Sequence, residues 1–168
     1  MKDETLKLGF SISATSRKPR GNEKHGKEYF FMTEEEFKKK VSDGEFVEWE
    51  EVYSGVCYGT LESEVGRITG SGHNLIMDVD VKGALNIKER YTDEAITIFI
   101  MPPSKGELEN RLRKRGTDSE DTILKRLQKS EYEMSFADKF DSVVINDDIE
   151  TAVDEVKSLI KEFISKKK

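Results

Sequence analysis

No stretch of this sequence approaches the roughly 18 consecutive apolar residues of a membrane-crossing helix; the longest near-continuous run is Ala95–Met101. The opening Met-Lys-Asp-Glu-Thr has no apolar core of the kind a secretory signal carries. Cysteine occurs once, at Cys57, so no disulfide can close within the chain and a reducing cytoplasm is the expected setting. There is no internal repeat, and low complexity is confined to Lys166–Lys168. A positive charge excess is also missing. The formal net charge of −6 argues against nucleic acid as a partner, and nothing in the sequence calls for a membrane.

What is present suits one folded domain: 168 residues, 35% hydrophobic and 37% charged, enough for a substantial core without the signature of disorder. Two basic islands interrupt the acidic average. Gly9–Phe30 holds five cations (Arg17, Lys18, Arg20, Lys24, Lys27) against Glu23 and Glu28, and Ser104–Tyr132 holds eight Lys/Arg against six Asp/Glu. Islands this small fit a small anionic ligand better than a polyanion.

Leu8–Ile12, Leu75–Val79, Ala95–Met101 and Ser142–Ile145 are apolar and rich in β-formers, and the longer ones are continuous rather than alternating. That pattern predicts strands buried on both faces of a parallel sheet, in an α/β fold. Thr33-Glu-Glu-Glu36 and Ser104-Lys-Gly-Glu107 are capping boxes that open helices stopped by Gly44 and Gly116, and Asp147 or Asp148 caps the last helix. The aromatic, glycine-containing stretch after the first strand predicts an inserted lobe, 13–74. The charged, helical 104–132 predicts a lid, which leaves 1–12, 75–103 and 133–168 as core.

Several clusters could carry chemistry. Arg17 and Arg20, three apart around Pro19, can offer two guanidinium forks to one anion, with a Tyr29 hydroxyl to assist; a solvated basic loop is the plainer alternative. Glu48, between Val47 and Trp49, is either an exposed edge residue or a buried acceptor in need of a donor. Tyr58-Gly59-Thr60 supplies two hydroxyls beside a glycine, or is an ordinary turn. Asp78 and Asp80 follow an apolar run, where α/β folds place ligand chemistry and where an acid can serve Mg²⁺; helix capping is the alternative for Asp80. Arg111 and Arg115 share a helix face, and Arg126 follows on the next helix; convergent arginines can stabilise a transferring phosphoryl group. Asn146 closes the last strand, where it could meet an adenine edge or make a turn.

In this order and spacing the segments resemble the guanylate kinase family. The resemblance runs from about Leu8 to the C-terminus and rests on Phe10–Arg20, Gly44–Trp49, Tyr58–Thr60, Asp78–Asp80, Arg113–Thr117 and Asn146–Asp148. It implies a P-loop kinase-type parallel sheet flanked by helices, with a GMP-binding lobe and a helical lid, moving the γ-phosphoryl of Mg·ATP to GMP to give ADP and GDP. By the same resemblance Arg17, Arg20, Tyr29 and Tyr58 would bind the GMP phosphate. Ser13, Glu48, Thr60 and Asp80 would surround the guanine, and Asp78 would organise Mg²⁺ through water. Arg111 and Arg115 would clamp the ATP phosphates, Arg126 would reach the transferring group, and Asn146 would lie near adenine. The base assignment has its own physical sense. Guanine presents a ring N–H and an amine on one edge, so carboxylates can accept from both, whereas adenine would face them with a lone pair.

One family feature has no counterpart. No G-x-x-x-x-G-K-[ST] phosphate loop occurs anywhere in the chain. The expectation is that a segment of about 25 residues carrying that loop belongs to the biological protein ahead of Leu8. A stretched link before Leu8, well above the usual ~3.8 Å between sequential Cα atoms, would mark the join. Two other readings compete: an inactive guanylate-kinase-like module that binds proteins, and a kinase for another monophosphate, which the pairing of Glu48 with Asp80 disfavours.

Overall fold

The computed structural model describes residues 4–53, 55–116 and 119–167, apart from the Tyr53 side chain. Thr117 of the motifs above lies outside these residues, as do residues 1–3 of the segment before Leu8 where the join is expected. The chain divides into two compact units, Lys2–Arg90 and Tyr91–Lys168.

The first unit opens with a single 3-10 turn, Glu4–Leu6, and β1 (Leu8–Phe10), followed by β2 (Ala14–Thr15), β3 (Phe30–Phe31) and α1 (Glu34–Ser42). β4 (Phe46–Tyr53), β5 (Val56–Leu61), α2 (Glu62–Gly70), β6 (Asn74–Ile76) and α3 (Val81–Tyr91) complete it. β1 and β6 form a parallel ladder, and β3-β2-β5-β4 form a separate four-stranded sheet whose strands all fall within 13–74. α1 starts on the predicted capping box. Thr33 Oγ1 accepts from the Glu36 amide, the Glu36 carboxylate accepts from the Thr33 amide, and Gly44 ends the turn at φ +70°.

The second unit holds β7 (Ile98–Met101), α4 (Lys105–Arg115), α5 (Glu120–Met134), β8 (Ser142–Ile145) and α6 (Ile149–Ser165). β7 and β8 pair in parallel from Ile98 opposite Ser142 to Met101 opposite Ile145. The expected box at Ser104 is half formed. Ser104 accepts from the Glu107 amide, but the Glu107 carboxylate is drawn off by Arg111 Nε at 2.8 Å. Asp148 caps α6 as expected, accepting from the Thr151 amide.

The apolar strands are not buried on both faces as expected. Phe10 is 64% exposed, Ile100 49% and Ile145 46%. Each ladder has only two strands among the described residues, so each strand lacks a second neighbour and keeps part of its surface open. A continuous apolar run reads the same whether one face or both are covered.

Candidate active site

The four-stranded sheet has two unlike faces. On one, Ala14, Phe46, Cys57 and Leu61 pack with Phe37 of α1 into a small core. Side chains alternate along a strand, so Tyr58 and Thr60 of β5 point to the other face. Pairing sets Thr15 opposite Tyr58 and Glu48 opposite Thr60. Phe46 and Glu48, two residues apart, would share a face in a regular strand. A register shift between them lets Phe46 pair with Leu61 in the core while Glu48 joins Thr60 on the polar side.

Tyr58-Gly59-Thr60 is therefore central strand and not a turn. A Cβ on Gly59 would come within 2.6 Å of the Glu48 carbonyl oxygen and 2.8 Å of the Phe46 and Trp49 side chains. The glycine is there for strand packing.

Glu48 is 9% exposed, which settles the edge-or-buried alternative. Burial pushes its carboxyl above the ordinary range, Thr60 beside it works the other way, and the Asp80 charge adds to the rise. Asp80 Oδ1 accepts from the Gly83 amide at 2.9 Å and caps the start of α3. A Cβ on Gly83 would lie 2.8 Å from Glu48 Oε2 and 3.4 Å from Asp80 Oδ1, so both carboxylates converge on this one glycine. The capping role for Asp80 and its place beside Glu48 coexist. Thr60 is fully buried; its hydroxyl lies near enough to lower the Glu48 carboxyl, yet it meets no partner among the described residues at hydrogen-bond geometry. Buried polar atoms left this way are rare, and they mark places where a ligand or water completes the set. Ser13 directly precedes β2, and its carbonyl accepts from the Phe30 amide. No described contact joins its hydroxyl to the two acids.

Of the residues expected at a phosphate, Arg17, Tyr29 and Tyr58 gather. The Arg17 guanidinium donates from Nε to Tyr58 Oη at 3.1 Å and lies 4.8 Å from the centre of the Tyr29 ring. The Tyr29 and Tyr58 rings meet edge to face at 6.0 Å. The expected pair of open forks is not what is seen, because Arg17 is spent on Glu23 at 2.6 and 2.8 Å. The Arg20 side chain is exposed. Sequence reading counted Glu23 only as an acid in a basic island, and gave Gly83 no role.

Asp78 is exposed and sits in coil, two residues beyond the end of β6, because that strand stops at Ile76 and not at the expected Val79. In the second unit Arg111 binds the chain at the end of β8, donating to the carbonyls of Asn146 at 2.8 Å and Asp147 at 3.1 Å. Arg115, on the same helix, and Arg126, on α5, are exposed. The Asn146 amide donates to Met101, and its side chain is half-buried.

A family model for guanylate kinase matches residues 1–163 of the chain. The chain belongs to the guanylate kinase family. Its activity is guanylate kinase activity, the transfer of a phosphoryl group from ATP to GMP. It is 52% identical to the guanylate kinase of Bacteroides fragilis over 161 residues, covering 96% of this chain and 79% of that enzyme. With the guanylate kinase of Thermotoga maritima it shares 44% over 152 residues, 90% of this chain and 72% of the relative. Among solved structures, the guanylate kinase of Anaplasma phagocytophilum superposes with a TM-score of 0.78 at 31% identity, over 94% of this chain and 77% of that one. The mixed α/β architecture with parallel ladders is that of the family.

Proposed function

We propose that the polar face of the lobe sheet is the GMP site, with Glu48, Asp80, Thr60 and Ser13 around the guanine and Arg17, Arg20, Tyr29 and Tyr58 at its phosphate. The observation that carries this is the convergence of Glu48 and Asp80 on Gly83 beside a buried Thr60 hydroxyl in want of a partner. A guanine edge with two N–H donors satisfies acceptors held this way, and burial multiplies the cost of leaving them unpaired. In domain terms 13–74 is the GMP lobe, 104–132 the lid, and 1–12, 75–103 and 133–168 the core. The setting we infer is purine nucleotide metabolism in the cytoplasm.

On the donor side, Arg111, Arg115 and Arg126 face the ATP phosphates and the group in transfer, and Asn146 lies by the adenine. The chemistry is positioning and charge stabilisation, since phosphoryl transfer asks little covalent help from protein. No cluster of three or more His, Cys, Asp or Glu that could cage a metal occurs among the described residues. Mg²⁺ takes one or two carboxylates and completes its shell with phosphates and water, so the exposed Asp78 carboxylate fits it through water. Bound there, the ion would draw charge from the phosphate oxygens.

The test is ADP formation by the full-length protein with GMP, AMP and UMP in turn. Turnover dependent on GMP and reduced at least ~100-fold in kcat/KM by Arg17→Ala is the expected result. Tight GMP binding without turnover would support the inactive-module reading instead, and equal use of AMP would remove the guanine assignment.

A further inference from the structure

Glu23 stands outside every role assigned above, yet its carboxylate accepts three hydrogen bonds. Oε2 accepts from Arg17 Nη1 at 2.6 Å and from the Arg20 amide at 2.7 Å, while Oε1 accepts from Arg17 Nη2 at 2.8 Å. The Arg17 side chain is only 9% exposed and that of Glu23 23%. Arg17 and the Arg20 amide together hold the Glu23 carboxyl down at about 2, so it is ionised throughout the working range.

A count of the Arg17 donors shows what this achieves. A guanidinium has five N–H bonds. Nε serves Tyr58 Oη, Nη1 serves the Lys18 carbonyl and Glu23, and Nη2 gives one of its two to Glu23. One N–H is left. The ring of Tyr29 covers a face of the guanidinium, and Phe31 lies 5.5 Å from it, so the plane cannot swing freely. Tyr58 Oη, having accepted from Nε, has its own hydrogen to give.

We propose that Glu23 is a positioning residue for the acceptor phosphate: it locks the Arg17 fork so that the Tyr58 O–H and the last Arg17 N–H are the donors presented to that phosphate. This deepens the GMP-site reading and rests on it. The alternative arrangement, with Glu23 holding the phosphate's own place until substrate displaces it, is disfavoured by the Arg20 amide, which anchors the carboxylate independently of Arg17. The two differ in sign. A positioning residue helps GMP bind, and a placeholder hinders it.

The experiment measures, in the full-length protein, KM and kcat for GMP and the inhibition constant of guanosine, which has the base and no phosphate. Glu23→Gln should raise KM for GMP about tenfold, with kcat changed far less and guanosine inhibition unchanged, since charge-assisted hydrogen bonds to phosphate are what is lost. Glu23→Asp, which keeps the charge on a shorter arm, should recover part of that loss. Tyr58→Phe should cost much less in the Glu23→Gln background than alone, because the two act through one network. Overturning results are a lower KM in Glu23→Gln, which means a placeholder, or equal losses for GMP and guanosine, which mean general damage to the lobe. Arg17→Ala separates the two layers. If it weakens GMP while Glu23→Gln does nothing, the positioning role fails alone; if Arg17→Ala also leaves GMP unaffected, the phosphate-site reading falls with it.

Discussion

The two faces of the lobe sheet are built from the same strands and obey opposite rules. On the α1 side the buried side chains form an apolar cluster, with the Phe37 and Phe46 rings stacked at 4.5 Å. On the other side a carboxylate is buried to 9% exposure and a fully buried hydroxyl goes without a partner. One face contributes stability, and the other costs stability that a bound nucleotide would return. The proposed site sits where the fold is least satisfied.

Truncations should therefore separate the faces. Phe37→Ala removes a fully buried ring from the core side and is expected to cost about 3–5 kcal/mol in urea unfolding. A loss below about 1 kcal/mol would mean the α1 face is not a packed core. On the polar side the sign reverses. Thr60→Val deletes the orphaned hydroxyl and should stabilise the unliganded protein by about 1 kcal/mol while weakening GMP binding roughly tenfold. If Thr60→Val destabilises instead, the hydroxyl is already satisfied and the contrast between the faces is lost.

A smaller effect follows from Glu48. Its carboxyl is raised in the folded protein, chiefly by burial, so the folded state binds a proton that the unfolded chain releases more readily. Stability from this group is complete below the ordinary carboxylate pKa and declines as pH rises through the raised one. Glu48→Gln, which cannot ionise, should gain in unfolding midpoint over the wild type at pH 8 and lose that advantage at pH 4. An advantage that does not change between the two would show that Glu48 ionises without penalty.

Much of this was legible in the sequence. Thr33 and Glu36 announce α1, Gly116 stops α4 at φ +65°, and Ser142–Ile145 is the strand its composition describes. The collinear motifs identified the family, and they include Glu48 and Asp80, which converge on Gly83, and Arg17, which meets Tyr58. What escaped was whatever depends on pairing. Alternation puts Phe46 and Glu48 on one face, and only the register shift between them, a property of the β4-β5 ladder, turns Glu48 towards Thr60. Gly59 resembled a turn because glycine usually signals one, whereas here it admits neighbouring strands. Glu107 looked committed to Ser104 until Arg111, one turn along, competed for it. Glu23 carries a signal that was available: an acid three residues beyond Arg20 and six beyond Arg17, able to close a short loop on both.

The relative affinity for GMP and AMP, in the wild type and in Glu48→Gln, bears most directly on the claim that an acidic wall selects the base. The wild type should prefer GMP by roughly 1,000-fold or more, and the amide, which offers a donor where guanine needs an acceptor, should cut that preference about 100-fold without any loss of stability at neutral pH. A preference that survives the substitution intact would place base selection elsewhere in the molecule.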